Sequence, residues 1–143
     1  MKKIMLIAAV AITVQKVSIA QKLESAAVPG PVKESMEKKY PKASGVKWEM
    51  EKGKYEAEFK SEGKSMSALF EPNGNLAESE MMIKVSDLPA NATQYLKEHY
   101  KGKSIKEPAR VTKANGEINY EAEVNGKDIV FDANGKFIKE ESE

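Results

Sequence analysis

The feature that most constrains the fold of this chain is an internal repeat with an offset of about sixty residues. Three kinds of segment recur in the same order: a proline followed by helically spaced apolar residues, a Tyr-Glu-Ala-Glu run, and an Asn-Gly turn. The matching segments are 28–40 and 88–100 (offset 60), 55–59 and 120–124 (offset 65), and 70–76 and 131–137 (offset 61). Because the offset drifts only between segments, the differences in length fall in connections, as expected for a duplicated structural unit.

Within each copy the spacing of apolar residues changes from helical to extended. Val32, Met36 and Tyr40 recur every four residues and predict a short helix that Pro41 ends. In the second copy Ser86 or Asp87 can cap the helix, and Gly102 can end it. The alternating runs that follow predict half-buried strands.

Turn residues separate these runs, and they predict antiparallel hairpins. Asn-Gly pairs provide the positive φ angles of type I′ turns. We therefore predict an α+β fold of two tandem α-β4 repeats, with an antiparallel meander sheet and the helices packed on one face. The repeats are assigned to residues 28–84 and 85–143, which together form one domain. The pattern leaves open whether they share one continuous sheet.

The N-terminal residues are typical of an export signal. Lys2 and Lys3 precede an uncharged apolar run from Ile4 to Val14, which is too short to span a bilayer. We predict a signal peptide over residues 1–20 with cleavage after Ala20, followed by a mobile leader at 21–27. The alternative is the amphipathic N-terminal helix of a cytosolic protein. Cleavage would leave a chain with no membrane anchor and a small excess of acidic residues, 22 against 20 basic.

Composition excludes several classes of function. The 143 residues carry a net charge of +1, which argues against a non-specific nucleic-acid binder. Cysteine is absent and His99 is the only histidine, so thiolate sites, a cysteine nucleophile and multi-histidine metal centres are excluded. We expect a structural role for His99, because a protonated histidine near a helix C-terminus interacts favourably with the helix dipole. Asp132-x-Asn134-Gly135 fits a hairpin turn better than a calcium loop, because Lys136 stands where a fifth-position ligand is needed. We predict no catalytic residue, metal site or cofactor.

The outward face of the predicted sheet is the most informative surface. If Tyr55, Ala57 and Phe59 point towards the helix, the intervening acidic residues point away from it. Val46 and Trp48 share the inward parity, and Trp48 is expected in the core. The candidate partner-binding residues, all on the outward parity, are Glu49, Glu56, Glu58, Leu69, Glu121, Glu123, Asp128 and Val130. The alternative is that these charges only keep the sheet soluble and block aggregation at its edges.

The duplicated pattern resembles the PepSY-like family. The resemblance rests on the Val/Leu-Pro helix with its apolar residues and final tyrosine, on the Tyr-Glu-Ala-Glu strand and on the Asn-Gly hairpin, and it covers residues 28–141. That family is described as similar to the beta-lactamase inhibitor protein and is common in exported proteins of Bacteroidetes-type bacteria. The resemblance implies a tandem α/β repeat, a periplasmic or secreted location and no enzymatic site.

The resemblance also implies a class of function. PepSY-type domains are suspected of binding or inhibiting peptidases, and the beta-lactamase inhibitor grips an enzyme with its sheet surface. This chain departs from that inhibitor in having no cysteine. We therefore expect a non-catalytic exported module that binds an unknown protein or peptide of the cell envelope, as an inhibitor or regulator. The alternative is a cation or small-ligand binding or sensing protein of the envelope.

Overall fold

The computed structural model describes residues 21–142, which form one continuous antiparallel sheet of nine strands with two helices. The strands pair in the order in which they occur along the chain. In sequence, the elements are β1 (Gln21–Leu23), α1 (Gly30–Lys39), β2 (Ser44–Glu51), β3 (Lys54–Ser61), β4 (Lys64–Phe70), β5 (Leu76–Met82), α2 (Ala90–His99), β6 (Lys106–Lys113), β7 (Ile118–Val124), β8 (Lys127–Asp132) and β9 (Phe137–Ser142). The expected α+β class with one antiparallel meander is confirmed.

Both helices lie on the same face of the sheet. Val32 and Met36 of α1 are buried against Ala57 and Phe70, in a core that also contains Trp48. Ala92 and Leu96 of α2 belong to a second core, which includes Ala122, Ile129 and Phe131. The strand register places these sheet residues on one side, since Tyr55 stands opposite Phe70, and Tyr120 opposite Phe131. Each helix needs this packing, because ten residues are too few for a stable isolated helix.

The helices begin at the prolines rather than at a polar cap. Pro29 and Pro89 precede the first helical residues, and neither helix receives a side-chain cap. The expectation that Ser86 or Asp87 caps α2 is wrong. The Asp87 carboxylate instead accepts a hydrogen bond from the Lys84 N–H at 3.2 Å and closes the short 3-10 turn that precedes the helix.

The six hairpins within residues 44–142 divide into two types. In the turns at Lys52-Gly53, Glu62-Gly63 and Asn125-Gly126 both residues have positive φ, as type I′ geometry requires. In the turns containing Gly74, Gly116 and Gly135 only the glycine does. The prediction of type I′ geometry from Asn-Gly therefore holds for one Asn-Gly pair and not for the other three.

Two hairpin tips touch the helices at corresponding points of the two halves. A Cβ on Gly74 would lie 2.4 Å from the carbonyl oxygen of Pro31, and one on Gly135 would lie 2.7 Å from the Pro89 Cβ. The φ angles of Gly74 and Gly135 are +89° and +81°, in a region that L side chains rarely adopt. Glycine is therefore required at each position for two reasons, the close contact with the helix and the positive φ.

Two sequence expectations at the start of the fold are corrected. Residues 21–27 are not a free leader, because β1 pairs with β2 and Leu23 packs against the first core. Val46 is not buried beside Trp48: it is 39 % exposed, since the β2–β3 register shifts between Ser44 and Lys47. The predicted signal peptide lies outside the described residues. Within residues 21–142, neither helix has the length and apolar character needed to cross a membrane.

Candidate functional site

The sheet face opposite the helices, which we term the bare face, is covered by neither α1 nor α2. Its members follow from the strand register, because every residue next to a core-facing position points to the other side. From β2 to β9 they include Lys47, Glu49, Glu51, Glu56, Glu58, Ser67, Leu69, Glu78, Glu80, Ala109, Val111, Lys113, Asn119, Glu121, Glu123, Asp128, Val130, Lys139 and Glu141. Carboxylates outnumber lysines across this surface.

All eight residues selected from the sequence lie on the bare face. Register pairs bring several of them together: Glu49 stands opposite Glu56, Glu121 opposite Val130, and Glu123 opposite Asp128. Like charges directly opposite each other on adjacent strands destabilise a sheet unless something compensates them.

The two apolar candidates, Leu69 and Val130, differ in exposure. Leu69 is half-buried, whereas Val130 is 1 % exposed and offers a partner no surface. The long side chains of Glu121 and Lys139 stand opposite Val130 on the two neighbouring strands. Short apolar side chains become buried between such neighbours even where no helix covers them.

Glu56 and Glu121 are the most strongly perturbed acids of this face. Burial disfavours the charged form and raises the pKa of each from its ordinary value of 4.5 to about 7. Nearby carboxylates add to the shift: Glu51 and Glu58 beside Glu56, and Glu80 beside Glu121. Neither Glu56 nor Glu121 forms a salt bridge with any residue in the described part of the chain.

Sequence reasoning missed two acids that link these positions. Glu78 and Glu80 of β5 are half-buried on the bare face, and burial raises the pKa of both. The Ser67 hydroxyl donates a hydrogen bond to Glu80 at 3.4 Å. The signal was present in the alternation of Leu76 to Met82 after the Asn73-Gly74 turn. Because β5 and β6 join the halves, these acids lie between Glu56 and Glu121.

An unsatisfied acceptor lies on the same face. Asn119 is 4 % exposed, and its Oδ1 has no hydrogen-bond partner among residues 21–142. It stands opposite Val111 on β6 and Asp132 on β8. Buried side-chain oxygens are normally hydrogen-bonded, so this oxygen adds a further acceptor to a surface already rich in them.

Other candidate residues have structural roles. His99 donates from Nδ1 to the Tyr95 carbonyl oxygen at 3.0 Å and stacks on the Tyr95 ring. Asp132 accepts hydrogen bonds from the N–H groups of Asn134 and Lys136, which confirms the hairpin turn. Trp48 is in the core, as expected. In the described part of the chain, no three His, Asp or Glu side chains are grouped so that they could hold a metal ion.

A sequence model of the family described as "Putative beta-lactamase-inhibitor-like, PepSY-like" matches residues 15–78 and again 54–139. No match was found among curated proteins.

Several solved structures share the fold. A "putative periplasmic" protein from Bacteroides eggerthii is 18% identical, with a TM-score of 0.73 over 80% of this chain and 88% of that one. A DUF2874 family protein from Bacteroides uniformis is 20% identical, with a TM-score of 0.71 over 78% and 87%. A BLIP-like protein from Bacteroides fragilis is 23% identical, with a TM-score of 0.63 over 79% and 85%.

Proposed function

Because this chain belongs to the PepSY-like, beta-lactamase-inhibitor-like family, we propose that it is a non-catalytic module of the cell envelope that binds a protein or peptide through the bare face. The observation that carries the proposal is the set of half-buried acids Glu56, Glu78, Glu80 and Glu121, whose pKa values are all raised. A surface on which ionised carboxylates are unfavourable is stabilised by a ligand that supplies positive charge.

The chemistry of the bare face selects the kind of partner. An ionised carboxylate can only accept hydrogen bonds, and the same holds for the Asn119 Oδ1. The partner must therefore donate the hydrogen bonds. Lysine and arginine side chains donate hydrogen bonds and carry the compensating charge. We therefore propose a basic surface or peptide as the partner, and inhibition or regulation of an envelope protein as the consequence of its binding.

A periplasmic location is part of the proposal. It is supported by the predicted signal peptide and by the description of the Bacteroides eggerthii structure as a "putative periplasmic" protein. We also propose that residues 28–84 and 85–143 are tandem α-β4 repeats. Two observations support the repeat: the order of helix and strands is the same in both segments, and Gly74 and Gly135 make corresponding contacts with the helices.

The test is capture followed by titration. Residues 21–143 are immobilised, proteins of the envelope extract are captured and identified, and the purified partner is then titrated against the wild type. In the key variant four bare-face acids are reversed to lysine: Glu56, Glu58, Glu121 and Glu123. A matched control reverses four exposed acids outside the bare face: Glu24, Glu37, Glu62 and Glu98.

We expect the bare-face variant to lose binding by at least about 100-fold, and the control to lose only the small part due to net charge. Circular dichroism checks that both variants are folded. Binding by the wild type should also tighten as the pH rises through 7, because Glu56 and Glu121 become charged. Equal affinity of the bare-face variant and the wild type would overturn the assignment of this face.

A further inference from the structure

A groove of about 880 Å³ lies on the helix side of the sheet, between α1 and the β5–β6 pair. One wall is formed by Pro31, Glu34, Ser35 and Lys38, which face the same way on α1 because they are three or four residues apart. Leu76 of β5 contributes to the other wall. This groove is separate from the bare face, which lies on the opposite side of the sheet.

The corresponding place in the second half is filled by an aromatic side chain. Tyr95 occupies in α2 the position that Ser35 occupies in α1, and Phe137 corresponds to Leu76. The Tyr95 ring stacks on Phe137 with centroids 4.7 Å apart and meets Phe131 edge-on at 5.7 Å. Phe131 itself corresponds to the buried Phe70. The first half therefore has the same framework without the ring, and the groove is open where Tyr95 lies in the second half.

The groove also carries polar groups that favour tyrosine in an acidic segment. Ser79 and Thr112, which are neighbours across β5 and β6, line its sheet side, and neither hydroxyl is hydrogen-bonded to any residue between 21 and 142. Lys38 and Lys39 stand at its helix side, exposed, and neither forms a salt bridge within the same range. The hydroxyls can bind a phenol. Lys38 and Lys39 outweigh the single carboxylate of Glu34 on the same wall, so the helix side of the groove attracts negative charge.

We infer that this groove is a second binding site, which takes one tyrosine side chain from an acidic segment of another protein. The inserted ring lies against Leu76, as Tyr95 lies against Phe137. Its hydroxyl is near Ser79 and Thr112, and flanking Glu or Asp residues lie near Lys38 and Lys39. Because this site lies on the helix side, it can be occupied independently of the proposed bare-face partner.

The experiment uses three short peptides on the ¹⁵N-labelled chain 21–143, with chemical shifts followed by NMR. The first is acetyl-Glu-Glu-Tyr-Glu-Glu-amide, the second has alanine in place of tyrosine, and the third has lysines in place of the glutamates. We expect shifts at the amides of Ser35, Leu76 and Thr112 with the first peptide, and affinity at least about 10-fold weaker for the other two. Equal binding of the alanine peptide, or no shift up to about 5 mM of the first peptide, would overturn the inference.

Variants locate the site. Ser35→Tyr with Leu76→Phe reproduces the filled arrangement of the second half and should abolish binding. Lys38→Glu with Lys39→Glu changes only exposed residues and should weaken binding about 5-fold at low salt. The matched control, Lys97→Glu with Lys101→Glu, makes the same charge change on exposed residues of the second half. It should weaken binding less than the Lys38/Lys39 variant does. Undiminished binding by the Lys38/Lys39 variant would contradict the proposed site even if the filled variant failed to fold.

Discussion

The two halves of the molecule keep the same framework and differ in the surfaces that it presents. At the framework level, Gly74 touches Pro31 just as Gly135 touches the first turn of α2. On the helix side, the first half has an open groove, and the Tyr95 ring occupies the corresponding place in the second half. On the bare face, Glu49 stands opposite Glu56, whereas the buried Ala109 stands opposite Glu121. The glycine contacts at the helix starts are thus shared, whereas the groove on the helix side and the strand neighbours of Glu56 and Glu121 differ between the halves.

The glycine contacts should show the largest effect, because they test whether the framework is really common to both halves. Gly74→Ala and Gly135→Ala each combine a positive φ with a Cβ clash against the backbone or Cβ of a helix start. We expect each to lower the free energy of unfolding by about 3 kcal/mol or more, measured by urea denaturation. Gly53→Ala is the control: its φ is +81° but no atom lies within 4 Å, so about 1 kcal/mol is expected. If Gly74→Ala costs no more than Gly53→Ala, the first contact does not hold α1.

The aromatic residues sharpen the comparison on the helix side. Tyr95→Ser removes ring contacts with His99, Phe131 and Phe137 and should destabilise the protein by about 2 kcal/mol. The reciprocal change, Ser35→Tyr with Leu76→Phe, should leave stability unchanged or raise it by up to about 1 kcal/mol. Thermal and urea unfolding measure both. A marked loss of stability in the filled variant would mean that the first half cannot accommodate a ring at this position.

The bare-face acids should make stability depend on pH. The pKa of Glu56 and of Glu121 is about 7 in the folded protein and 4.5 ordinarily, so the folded state binds these protons more tightly. Their contribution to stability is fully present below pH 4.5 and is lost as the pH rises towards 7 and above. After allowance for their partial exposure, we expect each to account for about 1 kcal/mol between pH 4.5 and 8.

Single-residue variants measure how much each half contributes to this pH dependence of stability. Glu56→Gln and Glu121→Gln should each flatten the loss of stability above pH 4.5, and by similar amounts. Glu140→Gln is a control of opposite sign, because hydrogen bonds from Lys127 and Tyr100 lower the pKa of Glu140. Its effect should appear as the pH falls below 4.5. An unchanged pH profile in Glu56→Gln would show that the first half of the face is more solvated than its burial indicates.

The smallest expected difference concerns the tyrosines that follow the helices. The Tyr100 hydroxyl donates to Glu140 at 2.6 Å, and its burial together with this acceptor raises the pKa of Tyr100 to about 12. The Tyr40 ring instead packs on Phe59 at 4.8 Å. Tyr100→Phe should therefore cost less than about 1 kcal/mol, and Tyr40→Phe should cost still less. A spectrophotometric titration of the wild type should find one tyrosine that ionises near pH 12, and Tyr100→Phe should remove it.

The helices and the strands could be predicted from the sequence because each is defined by local periodicity. The eight bare-face candidates follow from alternation alone, since one parity of each strand packs under a helix. β1 could not be predicted, because three residues carry no period, and its pairing with β2 and the packing of Leu23 both involve residues distant in the sequence. Alternation predicts the wrong environment for Val46, because the β2–β3 register shifts between Ser44 and Lys47.

The accessibility of the bare-face residues also could not be predicted from the sequence. Val130 is buried by residues on neighbouring strands, and their lengths matter only once the register is known. The Tyr95 cluster likewise depends on how α2 lies over β8 and β9. Positions within an element were therefore predictable, whereas the depth of a side chain depends on several elements together.

The order of the strands has a consequence for how the chain can assemble. Every strand from β2 to β9 pairs with the strand immediately before it in the chain, and only α2 and its flanking turns separate β5 from β6. Pairings of this kind have low contact order, which is associated with rapid folding. The first core can form as soon as β5 has been made, and β5 then provides an edge on which β6 to β9 add in turn. A nascent chain can therefore fold progressively from its N-terminal end, without waiting for its last residues.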